Sequence, residues 1–161
     1  MVFALDEQRY ALYLSMVERV VQAVEITLLP KAPEFVLGVI NVQGQIIPVV
    51  DIRQRLHLPA REMNLYDQFI LARTLRRRVA LLVNSVAGIR ELADREWVTA
   101  EQVLPGVGYI HGVAKLEANL VLICDLDQFL SLEEERKLEA ALVGDITKTR
   151  RKTRRKTGEA V

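Results

Sequence analysis

Gly38-Val39-Ile40-Asn41-Val42-Gln43-Gly44-Gln45-Ile46-Ile47-Pro48-Val49-Val50-Asp51-Ile52-Arg53 sets two apolar runs on either side of Gln43-Gly44. Val and Ile dominate both runs, and β-branched side chains fit a half-buried pleated surface better than a helix. Gly44 offers the positive φ of a tight turn, so Val36 to Val50 reads as a β-hairpin. Asn41 is placed to tie that turn down through its side chain, and Gly38 to admit another backbone closely. Pro48 has no N–H to give to a ladder, which predicts an edge or a bulge at that point of the second strand. Val39, Ile46 and Val49 supply apolar area to a core or a partner, at about 25 cal/mol per Å² buried.

Outward from this hairpin, short apolar runs and polar turns continue at fairly even spacing, the pattern of an all-β barrel or sandwich. Met1 to Leu5 and Arg9 to Leu14 flank Asp6-Glu7-Gln8 as a second hairpin, and Val17 to Ile26 reads as a strand. Pro30 and Pro33 bracket a rigid connector, since each fixes φ and lacks a donor. Downstream, strands are predicted at Gln68 to Arg73, Arg78 to Val83 and Val86 to Leu92, then a loop through Trp97 and Pro105. A last hairpin joins Tyr109 to Lys115 with Leu120 to Cys124. Only the end reads as helix: Ser131 stands three residues before Glu134 as a capping box, and Leu138, Ala141 and Leu142 form a stripe before Gly144.

The 161 residues suffice for one domain with a substantial core. The lone Cys124 lies among Leu122, Ile123 and Leu126 and reads as a core thiol of a reducing compartment. Met1 to Leu5 is followed at once by Asp6 and Glu7 rather than by a signal-peptide pattern, and no apolar run approaches the roughly 20 residues of a membrane span. A cytoplasmic protein is expected. Its formal charge of +1 conceals an asymmetry, because residues 145–161 carry seven Lys and Arg against two acids, leaving residues 1–144 at −4. In that tail Lys-Thr-Arg-Arg recurs, and so dense a run of like charge is expected to be disordered.

Reactive groups are sparse. His57 and His111 stand apart, with no cysteine or second histidine at ligand spacing, so no metal site is expected. No serine sits in a Gly-x-Ser-x-Gly elbow, and residues 38–44 match neither a phosphate loop nor a dinucleotide fingerprint, which leaves no cofactor indicated. Asp51, Asp125 and Asp127 close apolar runs; they read as turn and helix caps, with a pair of catalytic acids as the competing reading.

Residues 38–53 resemble the signature of the CheW-like family, Gly-x-Ile-Asn-x-Arg-Gly-x-Ile-x-Pro-Val-x-Asp-Leu-Arg, and the likeness extends over about residues 1 to 142. The resemblance implies a mainly β fold of two small SH3-like five-stranded barrel lobes sharing a core, with a C-terminal α-helix. The lobes are expected at about 9–65 and 66–130, the helix at 131–143, the whole domain at 1–144 and the basic tail at 145–161. It further implies a non-catalytic adaptor in chemotaxis, without a small-molecule substrate, that joins the cytoplasmic tip of a chemoreceptor to the regulatory domain of a histidine kinase at membrane-associated receptor arrays. Val17, Arg19, Gly38, Asn41, Gln43 and Gly44 are then the partner-binding candidates, and Pro48, Asp51 and Arg53 belong to the structural motif. Two departures stand out: the family commonly has arginine at Gln43 and glutamate at Arg19, two positions that can form a surface ion pair. Two other readings remain: a small β-barrel nucleic-acid binder using its basic tail, by weak contact with nucleic acid or with anionic membrane, and an enzyme built on the scattered acids.

Overall fold

The computed structural model describes residues 1–103, 108–131 and 133–144. In chain order these form β1 (Val2–Leu5), β2 (Gln8–Ala11), β3 (Val17–Gln22), β4 (Val36–Val42), β5 (Gln45–Val50), helix α1 (Ile52–Arg55), β6 (Gln68–Arg73), β7 (Arg78–Val83), β8 (Ser85–Gly88), β9 (Trp97–Thr99), α2 (Ala100–Val103), β10 (Ile110–Leu116) and β11 (Asn119–Cys124). Helix α3 follows over residues 133–144. The strands make two sheets, ordered β8-β1-β2-β11-β10-β9 and β3-β6-β7-β5-β4. The mainly β, two-lobed architecture with a terminal helix is therefore as expected. Pro105 and the basic segment 145–161 lie outside the described residues.

The sheets do not divide the chain at residues 65 and 66. The second sheet takes β3 to β5 from before that point and β6 and β7 from after it, and the first combines β1 and β2 with β8 to β11. Two parallel pairings cause this: β5 pairs with β7, and β2 with β11, so each sheet recruits strands distant in sequence. Phe3, Leu5 and Tyr10 of the first sheet meet Val50, Ile70, Leu81 and Val83 of the second in one shared core. Each sheet also has a smaller core of its own, around Ile47 and Phe69 in the second and around Ala114 and Val121 in the first.

Pro48 is accommodated differently from the edge position its chemistry suggests, because β5 is an internal strand. Opposite Pro48, Val39 gives its N–H to Thr27 and takes the Thr27 N–H on its carbonyl. Val39 thus faces away from β5, and Pro48 occupies a position where the β4–β5 ladder needs no donor. On the other side, β7 pairs only with Val49 and Val50. An interior proline is tolerated because neither neighbour asks it for a hydrogen bond.

Helix α3 begins with the reciprocal capping box: Glu134 N–H donates to Ser131 Oγ at 3.2 Å and Ser131 N–H to Glu134 Oε2 at 2.7 Å. Leu138 and Ala141 pack on Leu29, Val36 and Val39, and Arg77 reaches from the β6–β7 hairpin to Glu135 and Glu139. The stripe fastens the helix to the back of the β4 hairpin. Shorter elements were not legible in advance. Helix α1, β9 and α2 are additions, and β8 stops at Gly88, leaving Ile89 58% exposed.

Candidate partner-binding surface

The β4–β5 hairpin turns through two residues of positive φ, Gln43 at 51° and Gly44 at 82°. That is the type I′ geometry whose twist matches paired strands. Asn41 holds it, its Oδ1 accepting the Gly44 N–H at 2.9 Å. At the other end of β4 the register slips between Val36 and Gly38. Gly38 has φ 152°, and a Cβ there would lie 2.2 Å from the Thr27 carbonyl oxygen. No other residue fits without moving the backbone. Val39, Ile47 and Val49 are buried, whereas Asn41, Gln43, Gly44, Gln45 and Ile46 are exposed. The hairpin is a core brace with one exposed end.

At its inner end Asp51 caps α1, accepting the Arg53 N–H at 3.0 Å. The Arg53 side chain, 9% exposed, spans three segments. It grips both Asp6 oxygens at 2.7 and 2.8 Å, Asn84 Oδ1 at 2.8 Å and the Pro59 carbonyl at 3.2 Å. Asp6 turns the β1–β2 hairpin of the first sheet, and Asn84 lies where the chain passes from β7 to β8. Arg53 is a bolt between the sheets. Its hydrogen bonds hold the Asp6 carboxyl below its ordinary range, and the same contact raises the Arg53 guanidinium.

Val17 and Arg19 lie on β3, the edge of the second sheet opposite β4. Val17 is half-buried and Arg19 exposed. Neither the Arg19 nor the Gln43 side chain makes an ion pair or hydrogen bond among the described residues. An acid–base link nevertheless crosses the sheet one residue away. The β3 register shifts between Val17 and Arg19, leaving Glu18 as the extra residue of a bulge. Glu18 pairs with Arg78 at 2.6 Å and with Arg73 at 3.3 Å, and Arg78 also donates to Gln45 Oε1 beside the hairpin turn. The Arg78 hydrogen bond holds the Glu18 carboxyl below the usual carboxylate range.

Sequence reasoning missed Glu18, Gln45, Arg73 and Arg78, yet one signal was present. Arg73 and Arg78 end and begin two strands that face each other in register. Like charges directly opposite repel, so an acid was needed nearby, and Glu18 is adjacent to the residue that was singled out. Asp51 and Asp125 each spend a carboxylate on their own turn, on Arg53 N–H and Asp127 N–H respectively. Among the described residues no three His, Cys, Asp or Glu side chains converge to hold a metal ion. Burial pushes the Cys124 thiol up to about 12, which leaves it protonated and unreactive. No described helix is long and apolar enough to cross a membrane.

Against known proteins, residues 1–134 match the model of the CheW-like domain. The chemotaxis protein CheW of Thermotoga maritima is 32% identical over 129 residues, covering 80% of this chain and 84% of that protein. That of Treponema pallidum is 25% identical over 142 residues, covering 84% of each. The crystal structure of the scaffolding protein TtCheW from Thermoanaerobacter tengcongensis superposes with a TM-score of 0.75 at 28% identity, over 83% of this chain and 92% of that one.

Proposed function

The chain belongs to the CheW-like family, and from that premise we propose that it joins a chemoreceptor's cytoplasmic tip to the regulatory domain of a histidine kinase. It is a non-catalytic scaffold of chemotaxis type. Residues 1–144 act as the coupling unit, working in the cytoplasm at receptor arrays, with 145–161 as a separate basic extension. The observation that carries the reading is the division of labour in the hairpin. Its apolar residues are spent on the core, while Asn41, Gln43 and Gly44 are displayed on a fixed turn. A rigid exposed turn loses little entropy on docking.

The contact positions are Val17, Arg19, Gly38, Asn41, Gln43 and Gly44, with Gly38 acting through the backbone it lets approach. Arg19 is the specificity element. With Glu18 taken by Arg73 and Arg78, the edge of β3 offers an uncommitted cation where the family commonly offers an acid. Misplaced charge rejects a wrong partner more strongly than it weakens a fold. The test is binding of the Arg19→Glu, Gln43→Arg double variant to conventional and dedicated kinase regulatory domains and receptor fragments. A shift of preference toward the conventional set is expected; unchanged binding to both sets overturns the assignment.

A further inference from the structure

One corner of the second sheet carries more positive charge than its acids balance. Arg19 lies in register with Leu71, and Leu71 with Ala80; Leu71 and Ala80 belong to the core that this sheet keeps to itself. Directly opposite residues share a face of a sheet, and alternate residues return to it. Arg19, Arg73 and Arg78 therefore stand together on the rim of that face, with Arg19 and Arg73 as diagonal neighbours about 7–8 Å apart. Glu18 is shared between Arg78 at 2.6 Å and Arg73 at 3.3 Å. Arg77 is spent elsewhere, on Glu135 and Glu139. Arg76, in the adjoining turn, is exposed and makes no ion pair among the described residues, and nearby Asp127 accepts the Leu75 N–H. Four arginines thus answer to two carboxylates, and Arg19 to none directly.

The same corner has an unfilled strand edge. β3 ends its sheet and pairs only with β6, and from Arg19 to Gln22 no backbone hydrogen bond leaves its outer side among the described residues. An extended polypeptide answers both needs, because its backbone completes the edge while its alternate side chains fall on the face that carries Arg19. A nucleic acid would match the charge but calls for rings on which to stack; the one ring on β3, β6 and β7, Phe69, is buried. We propose that an extended acidic segment of the protein partner lies along the outer edge of β3 from Arg19 to Gln22, with a carboxylate opposite Arg19 and its other acids toward the Arg73 and Arg78 rim. This takes the coupling surface proposed above as its premise and adds the chemistry of what docks there.

The test is residue-resolved NMR of the full chain, titrated with a short blocked peptide of alternating Glu and Thr, with its Gln and Lys counterparts, and with a short oligothymidylate. Resolution by residue is needed because the seven Lys and Arg of residues 145–161 also attract acids. The Glu peptide should move the amide signals of Arg19 to Gln22 saturably, with a dissociation constant of about 1 mM, and added salt should weaken it. At those residues the other three probes should bind at least about tenfold more weakly. Arg19→Glu should weaken the Glu peptide about tenfold, whereas Glu18→Gln, which frees Arg73 and Arg78, should tighten it about threefold. Opposite signs separate a charge effect from damage to the strand. Shifts confined to 145–161, equal binding of the Glu and Gln peptides at β3, a preference for oligothymidylate there, or a change in the same direction in both variants overturns the proposal. Capture of a kinase regulatory domain is scored separately: its absence with peptide binding intact removes the coupling role and leaves this site, and peptide failure with capture intact does the reverse.

Discussion

Arg53 and Arg78 meet their carboxylates at nearly the same distance, 2.7 Å to Asp6 and 2.6 Å to Glu18, yet they serve the molecule differently. Arg53 is 9% exposed and ties together the β1–β2 turn, the passage from β7 to β8 and the loop at Pro59. Arg78 opens β7, the middle strand of the second sheet, and is 24% exposed, while its companion Arg73 is 62% exposed. A guanidinium withdrawn from water has no substitute for the bonds it makes, whereas water competes for those at the surface. One pair should therefore decide whether the lobes hold together, and the other which partner they accept.

The comparison can be broken at its strong end first. Arg53→Ala leaves Asn84, the Pro59 carbonyl and Asp6 without their donor, and should destabilise the fold by about 2–4 kcal/mol in urea unfolding. Cys124, fully buried in the shared core, then reports the opening, its labelling by a thiol reagent accelerating well beyond the wild-type rate. Arg53→Lys keeps charge but loses the fork, and should fall about midway. An Arg53→Ala protein as stable as wild type would remove the bolt from the account.

Next in size is the acid limb. The folded-state values of Asp6 and Glu18 are both depressed, so each contributes stability present above its unfolded value, near 4. That stability is lost as pH falls through the folded value. Stability of the wild type should drop below about pH 4, and Asp6→Asn should flatten part of that limb. Because Asp6 is 40% exposed, added salt should shrink the difference.

Glu18→Gln should cost at most about 1 kcal/mol, as expected for surface pairs. It leaves Arg73 and Arg78 facing each other, so its signature is a binding change larger than its shift in thermal midpoint. Smallest of all on stability is Arg19→Glu, within about 0.5 kcal/mol of wild type. Its effect belongs to partner capture, and a large loss of thermal stability would show Arg19 to be structural instead.

Much of this contrast could be read from local sequence, and its crucial part could not. The Gln43-Gly44 turn, the Asn41 tether, the Asp51 cap and the Ser131–Glu134 capping box each involve residues at most three apart, and each is present. The surroundings of Arg19 and Gln43 are different in kind: they depend on β7, distant in sequence, whose Arg78 reaches both Glu18 of β3 and Gln45 beside the hairpin turn. The bulge that turns Glu18 toward Arg73 and Arg78 follows from a register shift against β6, which nothing within β3 specifies.

What the sequence determined by itself was most of the strands, though not β9, the hairpin with its positive-φ turn, the terminal helix and the family. Side-chain alternation, turn chemistry and caps are settled within a few residues. The tertiary structure alone decided that Arg53 reaches Asp6 and Asn84, that Pro48 sits inside a sheet, and that Glu18 takes the cations Arg19 leaves alone. These outcomes depend on which strands pair across long separations, as β5 with β7 and β2 with β11 do. That choice is made by burying the apolar faces of both sheets in one shared core, a property of the whole chain rather than of any stretch of it.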